Sequence, residues 1–350
     1  MAFSRMIVRT LTPTLLGAAA MLASAAGPAR ADAVADFYKG KQLNMIVFQG
    51  AGTTYDTYAR LLARHMGSHI PGRPSFVPQN MVGAGGLKAT EYLYSIAPKD
   101  GSVMGEISPG NPFEPLLGGT KTNFDPLKFT WIGSMDRNVS VGVAWHDAPF
   151  KTLDDVRARE MITPGTGAGA DSEIMPLAFN RLAGTRFKII PGYPGIAQAA
   201  LAMERGEIQG IGYWAWTGVK SSHPDWVSGH KLTVLYHTSD QDVAELPGVP
   251  KIRDYADNAL DRDALNLLLA RQDLGRPFLA PPDLPADRAK ALKAAFAATF
   301  KDAAFLADAK KVRADLTFVS GEEIEALFGK IAAYPPAVID RARQAIARAP

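Results

Sequence analysis

Four times in this chain a short apolar run breaks into a glycine-bearing turn and then into a helical pattern: Gly50-Ala-Gly-Thr-Thr-Tyr-Asp56, Gly83-Ala-Gly-Gly86, Pro109-Gly-Asn111 and Gly165-Thr-Gly-Ala-Gly169. A strand that turns on glycine into a helix is the repeating step of an α/β protein. Its strands assemble largely in parallel, because each helix carries the chain back to the same end of the sheet. The turns also bear on chemistry. The first turn of a helix leaves backbone N–H groups unpaired and carries roughly half a positive charge. Glycine lets a ligand approach that backbone closely and reaches φ > 0 without strain. At the C-terminal edge of a parallel sheet such a turn is an anion cradle. One turn alone serves chain reversal equally well; four of them, spread over two units, point to a site.

The patterning predicts strands at 43–48, 75–77 and 103–107, with helices at 55–66 and 87–95 between them. In the first helix Tyr58, Leu61, Leu62 and His65 or Met66 fall on one face. A second unit begins with an extended apolar run at 139–145. Helices at 153–159, 170–182 and 196–205 follow, among strands at 161–163, 187–190, 208–216 and 231–238. A strand at 276–280 precedes Pro281-Pro282, and helices at 285–302, 304–312, 321–331 and 337–347 finish the chain.

The N-terminus reads as an export signal. Arg5 and Arg9 precede an apolar run at 11–26 that Pro13 and Gly17 interrupt, and Ala29-Arg30-Ala31 supplies small residues for cleavage. The run falls short of the roughly 20 apolar residues that span a bilayer. Cleavage after Ala31 leaves 319 of the 350 residues, enough for one large or two medium cores without staples. The chain has no cysteine, so neither a disulfide nor a lipid anchor is expected. No second apolar stretch of spanning length follows, and the expected product is soluble in the periplasm. Arg5, Arg9 and Arg30 leave with the signal, and the remaining 35 basic and 35 acidic residues balance. With no basic block, no nucleic-acid partner is expected. An anionic ligand must then be held by local geometry, not by the field of the whole protein.

Motifs of cofactor binding and catalysis are missing. The turns at 50–55 and 165–170 lack the third glycine of a dinucleotide fingerprint, and no acidic residue lies at the ribose-binding distance. There is no phosphate loop ending in Lys-Ser/Thr, no nucleophile elbow and no His-Glu-x-x-His. His65 and His69 stand four apart, as two metal ligands can, but without a third in sight a solvated helix face is expected. His146, His223, His230 and His237 are scattered singly and offer no triad. The expectation is a protein that is not an enzyme and holds no cofactor or metal. Tyr213, Trp214 and Trp216 sit at a strand end, with Tyr193 and Phe113 in turns. They either pack as core or wall a pocket over the nonpolar body of a ligand.

Around the turns the sequence resembles a known family. Val47-Phe-Gln-Gly-Ala-Gly-Thr-Thr-Tyr-Asp-Thr-Tyr-Ala-Arg-Leu-Leu62 is similar to the start of the substrate-binding proteins of tripartite tricarboxylate transporters, the Bug family. Val82-Gly-Ala-Gly-Gly86 and Ala97-Pro-Lys-Asp-Gly101 look like that family's second loop and its Ala-Pro-Asp-Gly turn. The stretches at 191–195, 205–209, 246–250 and 278–286 follow in the family's order, so the resemblance covers nearly the whole mature chain. It implies a type II periplasmic-binding-protein fold: two α/β lobes joined by crossover strands, with the ligand cleft between them. Residues 32–137 and 240–350 would form lobe one, and 138–239 lobe two. The ligand's carboxylate would be gripped by Gly50, Ala51, Gly52, Thr53, Thr54 and Tyr55 and by Gly83, Ala84, Gly85 and Gly86, with Asn111 beside them. Lobe two would close with Thr166, Gly167, Ala168 and Asp171, with Tyr193 and Trp214 as aromatic contacts. Asp56 matches the family's aspartate, but at a helix start it reads as a cap for the N–H groups behind it.

The chain also departs from that family. Its lobe-two loop is usually serine-rich with a histidine, and here Gly169-Ala-Asp-Ser-Glu173 stands instead. Asp171 and Glu173 add negative charge where an anion's far end would sit, which puts a tricarboxylate in doubt. A monocarboxylate, an aromatic or amphipathic acid, and a ligand with a cationic far end stay open. The expected function is a monomeric, hinge-closing receptor that delivers a small organic acid to a permease with one large and one small membrane subunit. A sensor for a membrane kinase is the alternative, and an exported α/β enzyme the remote one.

Overall fold

The computed structural model describes residues 29–118, 121–166 and 170–347, so the export-signal reading falls outside them up to residue 28. Helix α1 (Ala29–Tyr38) precedes β1 (Gln42–Val47), which turns into α2 (Thr54–His65). β2 (Ser75–Asn80) and α3 (Leu87–Ser95) repeat the step, and β3 (Val103–Glu106), the short α4 (Glu114–Leu117) and β4 (Thr130–Ser134) follow. The second unit runs β5 (Ser140–Trp145), α5 (Leu153–Ala158), β6 (Met161–Gly165), α6 (Asp171–Leu182), β7 (Phe187–Pro191) and α7 (Ile196–Glu204). β8 (Gly210–Ala215), α8 (Trp216–Ser222), α9 (Pro224–Ser228) and β9 (Leu232–His237) complete it. α10 (Ala259–Leu269) leads back to β10 (Pro277–Ala280), α11 (Ala286–Thr299), α12 (Ala303–Lys311), β11 (Val319–Ser320), α13 (Gly321–Ala332) and α14 (Pro336–Ile346).

The first sheet has the order β11-β4-β10-β3-β1-β2. β1 is parallel to β2 and β3, with Val47 opposite Asn80 on one side and Glu106 on the other. β10 runs against both β3 and β4, so β4 is parallel to β3. In the second unit β5 lies between β8 and β9 and runs against both. β6 pairs with β7 in parallel and lies beside β8, where Gln209 N donates to Ile162 O at 3.1 Å. The hydrogen-bonded orders there are β8-β5-β9 and β6-β7, and the β6–β8 contact sets the two side by side as β7-β6-β8-β5-β9. Both units therefore follow one spatial plan: second strand, first, third, an opposed strand, fourth. The opposed strand is in each case the one that enters by a crossover, β10 in the first sheet and β5 in the second. The chain thus crosses between two α/β lobes twice, at 134–140 and again between 237 and 277. The largely parallel sheets expected from the sequence hold only in part: β1 pairs in parallel with β2 and β3, and β6 with β7, while β10 and β5 run against both neighbours and β11 against β4.

The capping chemistry is local. Thr152 and Asp155 form a capping box on α5, as Ser320 and Glu323 do on α13. Tyr58, Leu61 and Leu62 of α2 bury against Met45, Val47 and Phe278 of the sheet, under Phe296 of α11 and Phe305 of α12. On the other face Ile46, Phe48 and Leu93 open a core that continues through the crossovers to Phe179 and Tyr236. α10 and α14, from the segment expected in lobe one, pack against α6. Arg343 Nε of α14 also donates to Leu116 O at 2.7 Å, so the last helix straps both lobes. Among the described residues no helix is long and apolar enough to cross a membrane.

Candidate functional site

β1, β2 and β3 deliver their glycine turns to one edge of the first sheet. Thr53 caps α2: its Oγ1 donates to Gly50 O at 2.9 Å and accepts from Asp56 N at 3.3 Å. Asp56 folds back to accept from Gly52 N at 2.8 Å, from Arg60 Nε at 2.9 Å and from Asn80 Nδ2 at 2.8 Å. Burial pushes its carboxyl up, but the hydrogen bonds from Arg60, Asn80 and Gly52 outweigh it and bring the pKa to about 2. Asp56 is a spent capping group. Thr54 and Tyr55 occupy the first turn, whose amides have no carbonyl partner within the helix.

The second turn is held by packing. Gly83, Ala84, Gly85 and Gly86 all have positive φ. A Cβ at Gly86 would lie 2.7 Å from Phe48 Cδ2 and 3.0 Å from Asn111 Nδ2, so the first three turns meet at this glycine. Asn111 Nδ2 donates to Thr90 Oγ1 at 3.0 Å, and Thr90 Oγ1 donates to Gly86 O at 3.1 Å. Asn111 is buried and positions the turn from below. At Gly50, Gly52 and Gly85, by contrast, a Cβ would meet nothing within 4 Å. These glycines border open space, where a ligand can reach the backbone.

In lobe two the turns after β6 and β7 adjoin, with Tyr193 N donating to Gly165 O at 3.2 Å. Thr166 is tied to the first turn of α6, its Oγ1 lying 2.7 Å from Ser172 Oγ. Gly167 and Ala168 lie outside the described residues. Asp171 opens α6 and accepts from Arg271 Nη2 at 2.6 Å. Trp214 was expected as an aromatic contact. It is 5 % exposed within β8, edge-on to His223, whose ring stacks on Trp226 at 3.9 Å. It packs in the lobe's core. Tyr213 is buried too, its hydroxyl accepting from Gln272 Nε2. Phe113 packs on Phe328. The two helix histidines are a correction: His65 pairs with Asp308 at 3.0 Å and His69 with Asp302 at 2.9 Å, so they pin this region to α12 and its cap rather than face solvent. Among the described residues no group of three potential metal ligands gathers.

Three ionisable groups at the cleft floor escaped the sequence reading. Glu106 ends β3 fully buried, and both carboxyl oxygens lack a hydrogen-bond partner among the described residues. Burial drives its pKa well above the ordinary carboxylate range, against the pull of Arg276. Asp136, in the first crossover, is pushed up to about 7 by burial, again against Arg276. The Arg276 guanidinium lies 4.2 Å over the Tyr55 ring and 4.8 Å over Tyr58. An acid inside the apolar run Val103-Met-Gly-Glu-Ile107 was the one available signal. Beside these groups the crossovers are tied together: Ser140 N donates to Thr238 Oγ1 at 2.9 Å, and Asn138 N to Gln272 O at 2.8 Å. A cavity of about 480 Å³ opens there between the lobes, lined by Asp136, Trp216, Lys220, Glu245, Asp273 and Asp315 among others.

No protein-family model and no curated protein matches the chain. Solved structures do. A TctC solute binding protein from Polaromonas, without ligand, is 19 % identical and superposes with a TM-score of 0.69 over 87 % of this chain and 99 % of its own. MatC from Rhodopseudomonas palustris with bound malate is 17 % identical, with a TM-score of 0.54 over 88 % of this chain and 99 % of its own. A second R. palustris protein, with adipate, is 18 % identical, with a TM-score of 0.55 over 87 % of this chain and 97 % of its own. The chain has the two-lobe α/β fold of these solute-binding proteins.

Proposed function

We propose that this chain is a divergent periplasmic solute receptor of the tripartite tricarboxylate transporter type, which captures a small organic carboxylate by hinge closure and hands it to a membrane permease. The observation that carries the reading is the contrast among the glycines of the first lobe. Gly86 is locked against Phe48 and Asn111, while Gly50, Gly52 and Gly85 stand open on the same edge, beside the first-turn amides of Thr54 and Tyr55. A rigid rim of open backbone donors at helix N-termini suits an anionic head group. The malate and adipate held by two structural neighbours support a carboxylate. Ligand would then draw the lobes together because it contacts the closed state better than the open one.

A thermal-shift panel of organic acids, sugars and amines tests the reading. An acid at about 100 times its Kd adds roughly 2.7 kcal/mol of stability, a rise of a few degrees for a chain of this size. A rise with sugars or amines and with no acid would overturn it.

A further inference from the structure

Asp171 and Arg271 form an ion pair where lobe two meets the crossover, with Oδ1 2.6 Å from Nη2. Asp171 comes from the first turn of α6. Arg271 comes from the segment between α10 and β10, immediately before Gln272, which bonds to Thr238 and Tyr213 in the buried crossover network. Arg271 is therefore anchored at the cleft floor. Its Nε is buried without a hydrogen-bond partner among the described residues, and Nη2 also rests on Met175 Sδ at 3.4 Å. The Asp171 side chain is the more exposed partner, at 48 % against 27 % for Arg271. Asp171 sits at the edge of lobe two where β6 turns into α6, and its carboxylate is among the charges that act on the Tyr55 hydroxyl.

We propose that Arg271 is the specificity-determining cation for the far carboxylate of a dicarboxylate ligand, and that Asp171 holds that place until ligand arrives. The proposal rests on the receptor reading above, in which the near carboxylate goes to the rim at 50–55 and 83–86. A guanidinium offers paired donors that match a carboxylate's geometry. The group Arg271 now binds is itself a carboxylate, so the exchange is like for like. Part-exposed ion pairs are weak because both ions keep much of their water, so releasing Asp171 costs little. Once released, Asp171 still sits at the positive end of α6, where a negative charge is favoured. A monocarboxylate has nothing to exchange and leaves the pair closed.

The test compares straight-chain diacids of four to eight carbons with monoacids of matched length by calorimetric titration, on the wild type, Arg271→Gln, Arg271→Lys and Asp171→Asn. Arg271→Gln should weaken diacid binding at least about tenfold, as loss of a charge-assisted contact implies, and leave monoacids within about twofold. Arg271→Lys should restore part of the loss. Asp171→Asn, which removes the competitor, should tighten diacid binding several-fold. Equal losses for diacids and monoacids in Arg271→Gln would overturn the proposal while leaving the receptor reading intact. So would an ω-amino acid that binds more tightly than every diacid and loses its advantage in Asp171→Asn. If no acid binds any of the four proteins, both readings fail together.

Discussion

Asn111 holds Thr90, its Nδ2 donating to the Thr90 hydroxyl at 3.0 Å, and that hydroxyl in turn holds Gly86 O at 3.1 Å. Both side chains are buried, so the relay is shielded from water and supports the second turn from beneath. Thr90→Val keeps the volume but leaves Asn111 Nδ2 and Gly86 O each short of this partner. The loss should cost about 1–3 kcal/mol, the desolvation penalty of a buried group left unpaired. Urea unfolding reads that cost. If the turn is the carboxylate rim, affinity for the identified acid should also fall, about tenfold or more, because the amides are no longer preset. A Thr90→Val protein with a normal melt and normal affinity would remove the relay from both roles.

Asp136 gives the protein a stability that declines with rising pH. Burial lifts its carboxyl from an ordinary 3.8 to about 7, with Arg276 opposing. A group that is easier to protonate in the folded chain contributes fully below its unfolded pKa, and the contribution is lost as pH rises through the folded value. The window runs from about pH 4 to about pH 7. Each pKa unit corresponds to about 1.4 kcal/mol, so the decline amounts to a few kcal/mol at most. Asp136→Asn should remove this share of the decline, while buried Glu106 keeps its own in both proteins, and the variant should gain on the wild type as denaturant melts move from about pH 5 to about pH 8. His237 works in the other direction: burial, then Lys251 and Arg253, hold it below its ordinary 6.5, so its contribution is lost as pH falls. It is common to both proteins and cancels from the comparison.

Phe328 joins α13 to the first sheet through rings. It stacks on Trp131 of β4 with centroids 5.1 Å apart and meets Phe113, beyond β3, at 5.5 Å. All three rings are buried. Phe328→Ala should cost about 3–5 kcal/mol, the range for emptying an aromatic site in a packed core. Phe328→Leu should recover most of that. The check is the denaturant midpoint at unchanged slope. A loss below about 1 kcal/mol for the alanine variant would mean that the core collapses around the hole.

The local steps of the fold were legible because each is written in neighbouring residues. Tyr58, Leu61 and Leu62 mark one helix face, Asp56 marks its start, and α3 falls at the expected 87–95. β4 and α10 were not legible. β4 is only five residues long, and its burial comes from β10, which arrives more than 140 positions later. The glycines show the same limit within the site. Gly85 and Gly86 are adjacent and of one type, yet only the contact with Phe48 and Asn111 separates the packed one from the open one. Trp214 suited a pocket wall by type, and its burial depends on His223 and Trp226 being brought beneath it. Arg271 and Asp171 stand 100 residues apart, and no spacing rule joins them.

Gly275 offers a direct test of the hinge. A Cβ there would stand 2.7 Å from Asp136 O, 2.9 Å from its carbonyl carbon and 3.1 Å from Asn138 N. Its own N–H donates to Asp136 O at 3.0 Å. The two crossover segments therefore touch backbone to backbone at this residue, and the close approach requires a glycine. Neither segment can yield easily, because Asn138 N is fixed to Gln272 O at 2.8 Å and Ser134 Oγ to Asp136 O at 2.8 Å. Gly275→Ala should push the segments apart and cost about 1–3 kcal/mol, the usual range for overpacking. The more telling readout is closure. Small-angle scattering of the wild type should show the radius of gyration falling when the identified acid is added, as lobe closure demands. In Gly275→Ala that fall should shrink and affinity should drop with it, while the lobes themselves stay folded by circular dichroism. An alanine variant that closes and binds like the wild type would show that the lobes move about some other axis.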